Sequence, residues 1–354
     1  MSSSLFKKAL VLGAFAAGAA VWAIAPRTFS DKRRNYVPAI PDVWYAHRGL
    51  HDAGSGLSAQ YASESGEYVA LARRMAMKAG YGNPNVCTSI APENSLAAFA
   101  AACEAGYGIE LDLQMTRDGE VVVVHDGDLM RVAGDPRLIK DLAYDDLTRI
   151  PLFPTDAPGS DEAAPLPGAT EKPPLVTTPD TAPKGYYQHV PLFSDVLKVV
   201  AGRVPLIVEY KFDDNSVWTP RDVELMEKGD ALLQAYSGEY VIESFNPAAV
   251  NWYKENRPEI CRGQLSWWPE GEDVPSDPVT MAKEYAAGTL AFDWISRPDF
   301  IAYDWKGGNS PQVRLARFMG AVPVSWTVRS RDELAQCDDW FDHHIFEAFV
   351  PDFR

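Results

Sequence analysis

From Val43 to the C-terminus the chain repeats one alternation, a short apolar run followed by a stretch with helical spacing, and this repeat limits the possible folds more than any other feature. The runs are VWYAHRG (43–49), GIELDLQ (108–114), PLIVEYK (205–211), YVIESF (240–245), EICRGQLS (259–266), FIAYDW (300–305), PVSWTV (323–328) and HHIFEAF (343–349). Near-continuous apolar runs of this length read as strands buried on both faces. Between them, PENSLAAFAAACEAG (92–106) predicts a helix capped by Asn94 or Ser95, striped by Leu96, Phe99, Ala100 and Cys103, and stopped by Gly106. Helical spacing recurs at 221–236, at 247–256 after a leading proline, and in RLARFMG and RDELAQC. Eight alternating strand–helix units predict an α/β fold of the TIM-type (β/α)8 barrel, not an open sheet.

The second run belongs to a longer string, GIELDLQMTRDGEVVVVHD (108–126), in which Asp118-Gly119 marks a hairpin and Val121–Val124 an extra antiparallel strand. A two-residue loop there places Asp112 directly across from His125, and period-two alternation puts Glu110 on the same face. Two carboxylates beside Ile109, Leu111 and Leu113 need a partner once buried. A divalent cation meets that need, and oxygen ligands point to calcium or magnesium. In a barrel, functional groups belong at the C-terminal ends of strands. His47 and Arg48 end the first strand, Glu110 and Asp112 the second, Glu209 and Lys211 the third, and Glu243 the fourth, an inventory suited to a metal and a phosphate.

A net charge of −16 argues against nucleic acid as a partner, so a phosphate substrate needs local positive charge. Cys87, Cys103, Cys261 and Cys337 lie far apart, with neither zinc-site spacing nor a dense disulfide framework. After a short polar N-terminus (1–8) comes ALVLGAFAAGAAVWAIA, seventeen positions (9–25) without a charge, read as an uncleaved transmembrane helix with Trp22 at the interface. On this reading the protein is a single-pass, membrane-anchored one. Arg27, Lys32, Arg33 and Arg34 against Lys7 and Lys8 tilt the catalytic part toward the cytoplasm, although a signal-peptide-like reading puts it outside. A linker (26–41) leads to the barrel (42–354), which carries insertions near 52–91, 154–185 and 267–288. The first includes an amphipathic stretch (67–79), the second is a Pro/Ala/Thr-rich acidic tract read as a disordered or loosely packed surface segment, and the third is irregular.

The strings AHRGL, PENSLAAF, GIELDLQMTRDGEVVVVHD, LIVEYK, ESFNP and WTV resemble, in order, the motifs of the glycerophosphodiester phosphodiesterase family, whose fold is a TIM barrel with a divalent metal. The likeness runs from about Tyr45 to the C-terminus, and the insertion after HRG is longer than the family's short linker. The resemblance implies that Glu110, Asp112 and Glu209 hold the metal, His47 and His125 form an acid/base pair, and Arg48 and Lys211 bind phosphate oxygens. Trp326 is either an apolar wall for glycerol carbons or a core residue. The implied reaction is metal-dependent hydrolysis of glycerophosphodiesters to glycerol phosphate and an alcohol. Lysophospholipase D-type action on lysolipids, and a non-catalytic membrane-tethered binding protein on the same barrel, are the alternatives. His343 and His344 face opposite ways as strand neighbours, and His51 and His189 have no assigned part.

Overall fold

The computed structural model describes residues 18–30, 39–82, 89–154, 187–270 and 276–352. Its strands are β1 (Tyr45–Ala46), β2 (Gly108–Met115), β3 (Val121–Val123), β4 (Asp128–Leu129), β5 (Asp135–Leu138), β6 (Leu206–Tyr210), β7 (Tyr240–Ser244), β8 (Arg262–Ser266), β9 (Phe300–Asp304), β10 (Val322–Val328) and β11 (His343–Phe346). The main sheet runs β1-β11-β10-β9-β8-β7-β6-β2-β3, and β1 pairs also with β2. The pairs β1–β11, β1–β2, β2–β6, β8–β9 and β9–β10 are parallel, while β3 lies antiparallel on β2. The eight strands other than β3 in this sheet therefore have the pairing topology of a TIM-type barrel, each arising from one of the apolar runs. β4 and β5 form a separate two-stranded sheet.

Two compact units make up the chain: residues 1–40, 243–326 and 337–342, and residues 41–242, 327–336 and 343–354. In the second unit β2 and β6 are buried along nearly their whole length, as their apolar runs require. The helix Leu96–Ala105 starts where Ser95 Oγ accepts the Ala98 N–H at 3.1 Å and stops at Gly106, whose φ of +81° suits glycine. Of the two cap candidates, Ser95 takes the cap. A satellite core of Val122, Val124, Leu129, Val132, Ile139 and neighbours lies under β3 and the β4–β5 pair. The edges of the second insertion are tied together, with Leu152 N–H donating to Gln188 O at 2.8 Å and Tyr187 Oη–H to Thr148 O at 2.7 Å. Residues 155–186 themselves lie outside the described residues, as does Cys87.

The hairpin register differs by one residue from a two-residue loop. Leu113 pairs with Val123, Gln114 with Val122 and Met115 with Val121, which leaves Arg117, Asp118 and Gly119 in the loop. Thr116 closes it: its N–H donates to Glu120 O at 3.0 Å and its Oγ1 accepts the Glu120 N–H at 2.9 Å.

The first insertion contains a helix, Ala62–Lys78, longer than its amphipathic stretch suggested, which buries Tyr68, Ala72, Arg73 and Ala76 and packs on the helix Leu96–Ala105. The third contains the helix Pro278–Gly288, so it is not irregular throughout; residues 271–275 lie outside the described residues.

The expected membrane anchor over residues 9–25 is corrected. Among the described residues no helix is long and apolar enough to cross a membrane, which removes the basis for a transmembrane helix, a membrane partner, single-pass attachment and a preferred membrane side. Residues 9–17 lie outside the described residues; 18–24 are helical and end before Pro26. Within the first unit this segment is used against protein: Ile24 and Ala25 are buried, the Trp22 ring stacks on Trp294 at 5.5 Å, and Arg297 Nη1 donates to Trp22 O at 2.7 Å and Ala25 O at 2.8 Å. Arg27 then pairs with buried Asp299 at 3.3 Å. In its described part the apolar residues that are covered, Ile24 and Ala25, are covered by protein.

Candidate active site

In the parallel β2–β6 ladder Asp112 is aligned with Glu209, so both side chains leave the sheet on one face, and Glu110 shares it two residues earlier. All three acids are buried, and one carboxylate oxygen from each lies within 4.8 Å of the others. Lys211 Nζ lies 2.9 Å from Glu209 Oε1 and 3.4 Å from Asp112 Oδ1. Asp112 Oδ2 accepts from Asn94 Nδ2 at 2.8 Å and faces Arg48 Nε at 3.6 Å, while Glu110 Oε2 accepts the Arg48 N–H at 3.1 Å. Asp112 Oδ1 accepts no hydrogen bond. Burial works to raise the Asp112 carboxyl, but Lys211, His125 and Arg48 outweigh it and hold the group well below the usual carboxylate range. Glu209 goes the other way, pushed up by burial and by Asp112 against the pull of Lys211. An oxygen-only donor set with one buried oxygen lacking a hydrogen bond and one acid driven toward its protonated form suits a hard divalent cation.

His47 follows β1, and its Nδ1 lies 2.7 Å from Glu347 Oε2, just beyond β11, while Nε2 faces Glu110 Oε2 at 3.9 Å. Burial pushes this imidazole down to about 4 against the opposing pull of Glu347, with Arg48 adding to the decrease. His125 is arranged in the same way, with Nδ1 at 2.7 Å from Asp126 Oδ1, and is lowered by burial, then by Arg48 and Lys211. A carboxylate at Nδ1 fixes the Nδ1–H tautomer and leaves Nε2 as the free lone pair of each ring.

The observed register alone turns His125 away from Asp112, because a one-residue slip reverses faces. The chain corrects this after β3 ends at Val123. Gln114 Nε2 reaches the carbonyls of Val124, His125 and Asp126 at 3.0, 2.9 and 2.7 Å, and this turn brings His125 within the field of Asp112, Arg48 and Lys211.

Arg48 is buried at a φ of +56°, a conformation costly for a side chain of its size, and its carbonyl accepts the N–H of Asn94, itself at +55°. Its Nη1 donates to Glu93 Oε1 at 2.8 Å. Arg131 adds two bonds to Glu93, at 2.9 and 2.6 Å, and one from Nε to Asp126 at 2.7 Å. A cavity of about 350 Å³ opens beside Lys211 and His125, walled by Leu138, Phe212 and the Lys140–Asp213 ion pair at 2.7 Å.

Seven of the nine residues singled out in the sequence thus belong to one unit, six of them at or beside the carboxylate cluster and His125 brought in by the Gln114 turn, while Glu243 falls in the other unit. Trp326 belongs to the other unit, where it packs edge-on against Phe245 at 5.5 Å. Sequence reasoning missed Glu93, Asn94, Arg131, Arg329 and Glu347. His51 is fully buried with Nε2 at 3.6 Å from Glu347, His189 bonds the Val190 carbonyl at 2.9 Å, and His344 stacks on Trp44 at 5.0 Å while His343 faces Asp42 at 3.9 Å.

Acids, imidazoles and cations gather at the C-terminal ends of parallel strands, the end of a TIM-type barrel where active sites are built. Residues 82–346 match the glycerophosphoryl diester phosphodiesterase family, and the chain belongs to that family. The match begins within the first insertion, so His47 and Arg48 lie outside it and join the site through the fold. A glycerophosphodiester phosphodiesterase of Bacillus altitudinis is 46% identical over 59 residues, 16% of this chain and 24% of the relative, so the chain spans about a quarter of that relative's length. One of Bacillus subtilis is 25% identical over 267 residues, covering 74% of this chain and 80% of the relative. Among solved structures, an Oleispira antarctica phosphodiesterase in complex with the product sn-glycerol-3-phosphate shares the fold with a TM-score of 0.54 and 17% identity, over 88% of this chain and 94% of that chain.

Proposed function

We propose that the protein hydrolyses glycerophosphodiesters to glycerol 3-phosphate and an alcohol, with a divalent cation, calcium or magnesium, held by Glu110, Asp112 and Glu209. The observation that carries this reading is the convergence of those three buried carboxylates within 4.8 Å, beside Lys211 and Arg48. The product in the Oleispira antarctica complex, sn-glycerol-3-phosphate, supports the choice of substrate class.

A phosphodiester anion repels nucleophiles, and a cation bound by the trio would polarise a phosphoryl oxygen as a Lewis acid. Arg48 and Lys211 neutralise nonbridging oxygens from fixed positions, so little reorganisation is needed as charge shifts in the transition state. One histidine accepts at Nε2 the proton of the nucleophile, either water or the glycerol 2-hydroxyl, in which case a cyclic phosphate forms first. The other, protonated in the reactive complex, delivers its proton to the leaving alkoxide. The cavity beside Lys211 and His125 receives the alcohol.

The test is release of glycerol 3-phosphate from glycerophosphocholine by the full chain. We expect activity to vanish in excess chelator and to return with calcium or magnesium, and Glu209→Gln to lower metal affinity and turnover together by about 10–100-fold. Full turnover in chelator, or none with either metal, overturns the reading.

A further inference from the structure

Two carboxylates stand behind the site, Glu93 behind Arg48 and Glu347 behind His47. The segment Gly54-Ser55-Gly56 of the first insertion passes between them. The Ser55 N–H donates to Glu93 Oε2 at 2.6 Å and Ser55 Oγ donates to Glu347 Oε2 at 2.9 Å. Only glycine fits on either side: a Cβ on Gly54 falls 2.5 Å from Glu93 Oε2, and one on Gly56 falls 2.6 Å from Glu347 Oε1. Arg329 Nε holds the other Glu347 oxygen at 2.6 Å. Burial works to raise the Glu347 carboxyl, yet His47 and Arg329 keep it well below the usual range, so it stays an anion and an acceptor.

Resting on the phosphodiesterase reading above, we propose that Ser55 is a positioning residue that staples Glu93 to Glu347 and so fixes the Arg48 guanidinium and the His47 imidazole relative to one another. Each glutamate reaches its partner through a flexible side chain, and a shared donor removes that freedom from both at once. Holding the insertion in place is a separate task with its own anchor. Asp52 accepts from Arg73 Nη1 at 2.7 Å, from the Ile90 and Ala91 N–H groups at 3.0 and 2.9 Å, and from Ser89 Oγ. Loss of the Ser55 hydroxyl therefore leaves the insertion seated and the Ser55 N–H on Glu93, and opens the staple at its Glu347 end alone.

The experiment uses Ser55→Ala in the full chain, with Ser55→Gly as a second variant should alanine lower the melting temperature below that of the assay. Steady-state kinetics on glycerophosphocholine are expected to show kcat reduced by about 10-fold with KM and metal affinity unchanged. In spectra of ¹⁵N-histidine-labelled protein, with the His47 signal assigned through His47→Asn, the Nδ1–H proton bonded to Glu347 should be sharp in the unmodified protein and broadened or absent in the variant. An unchanged signal together with unchanged kcat overturns the proposal, as does a loss confined to KM or metal affinity. A chain that hydrolyses nothing refutes the phosphodiesterase reading instead, and the histidine signal then decides the staple alone.

Discussion

His47 and His125 approach the carboxylate cluster by different routes, one from the end of β1 and one from a turn held by Gln114, and each carries a carboxylate at Nδ1. Matched rings invite a division of labour. His47→Ala and His125→Ala should each lower kcat by ~10²-fold or more. A p-nitrophenyl diester, whose leaving group needs no proton, should restore much of the loss in the variant lacking the acid and little in the other. Equal losses on both substrates in both variants would refute the division. The convergence of the three carboxylates was legible in the sequence because strand alternation alone places Glu110 beside Asp112, and both end a strand of the same kind as Glu209 does. Glu93 and Glu347 were not. Their partners lie 45 and 300 residues away, and PENS and HHIFEAF read locally as a helix start and a buried strand.

At the scale of elements, the strands were readable because each needs a continuous apolar run, whereas the hairpin loop was misjudged by one residue. Asp-Gly marks a turn without setting its length; the Thr116 hydroxyl, closing on Glu120, makes the loop three residues long. The helix of the first insertion packs on the helix Leu96–Ala105, while the residues leading into it touch the acids behind the site, a split that its amphipathic stripe does not reveal. In the first unit the short helix Asp293–Ser296 carries a strained choice. Asp293 is fully buried, neither carboxylate oxygen accepts a hydrogen bond, and burial raises its carboxyl well above the usual range against the pull of Arg297. A raised acid favours folding while protonated, so stability is full below the unfolded value of about 3.9 and falls as pH climbs toward the folded value. Asp293→Asn should therefore gain in melting temperature over the unmodified chain as pH rises from about 5 to about 8, with little difference near pH 4. A gap that stays constant across that range would show that Asp293 does not titrate in folding.

For the whole molecule, a net charge of −16 would oppose the approach of the proposed anionic diester, which Arg48 and Lys211 at the carboxylate cluster would draw inward. Raising ionic strength from about 0.01 M to about 0.1 M shortens the screening length from roughly 30 Å to roughly 10 Å. That change damps the distant acidic surface more than the site, so kcat/KM should rise; a steady fall would mean that the local cations dominate the approach. The N-terminal segment was misread because an uncharged stretch looks alike whether lipid or protein covers it, and only Trp294, Arg297 and Asp299 identify the cover for its described part. The tie between Leu152 and Gln188, with Tyr187 reaching Thr148, has a different consequence. Because the chain is already pinched shut at that point, the length of what lies between costs only about 0.6 kcal/mol per doubling. The pinch is thus a natural graft point: exchanging residues 156–185 for a short Gly/Ser bridge, or for a reporter domain whose ends lie close together, should leave the melting temperature and turnover of the enzyme nearly as they were.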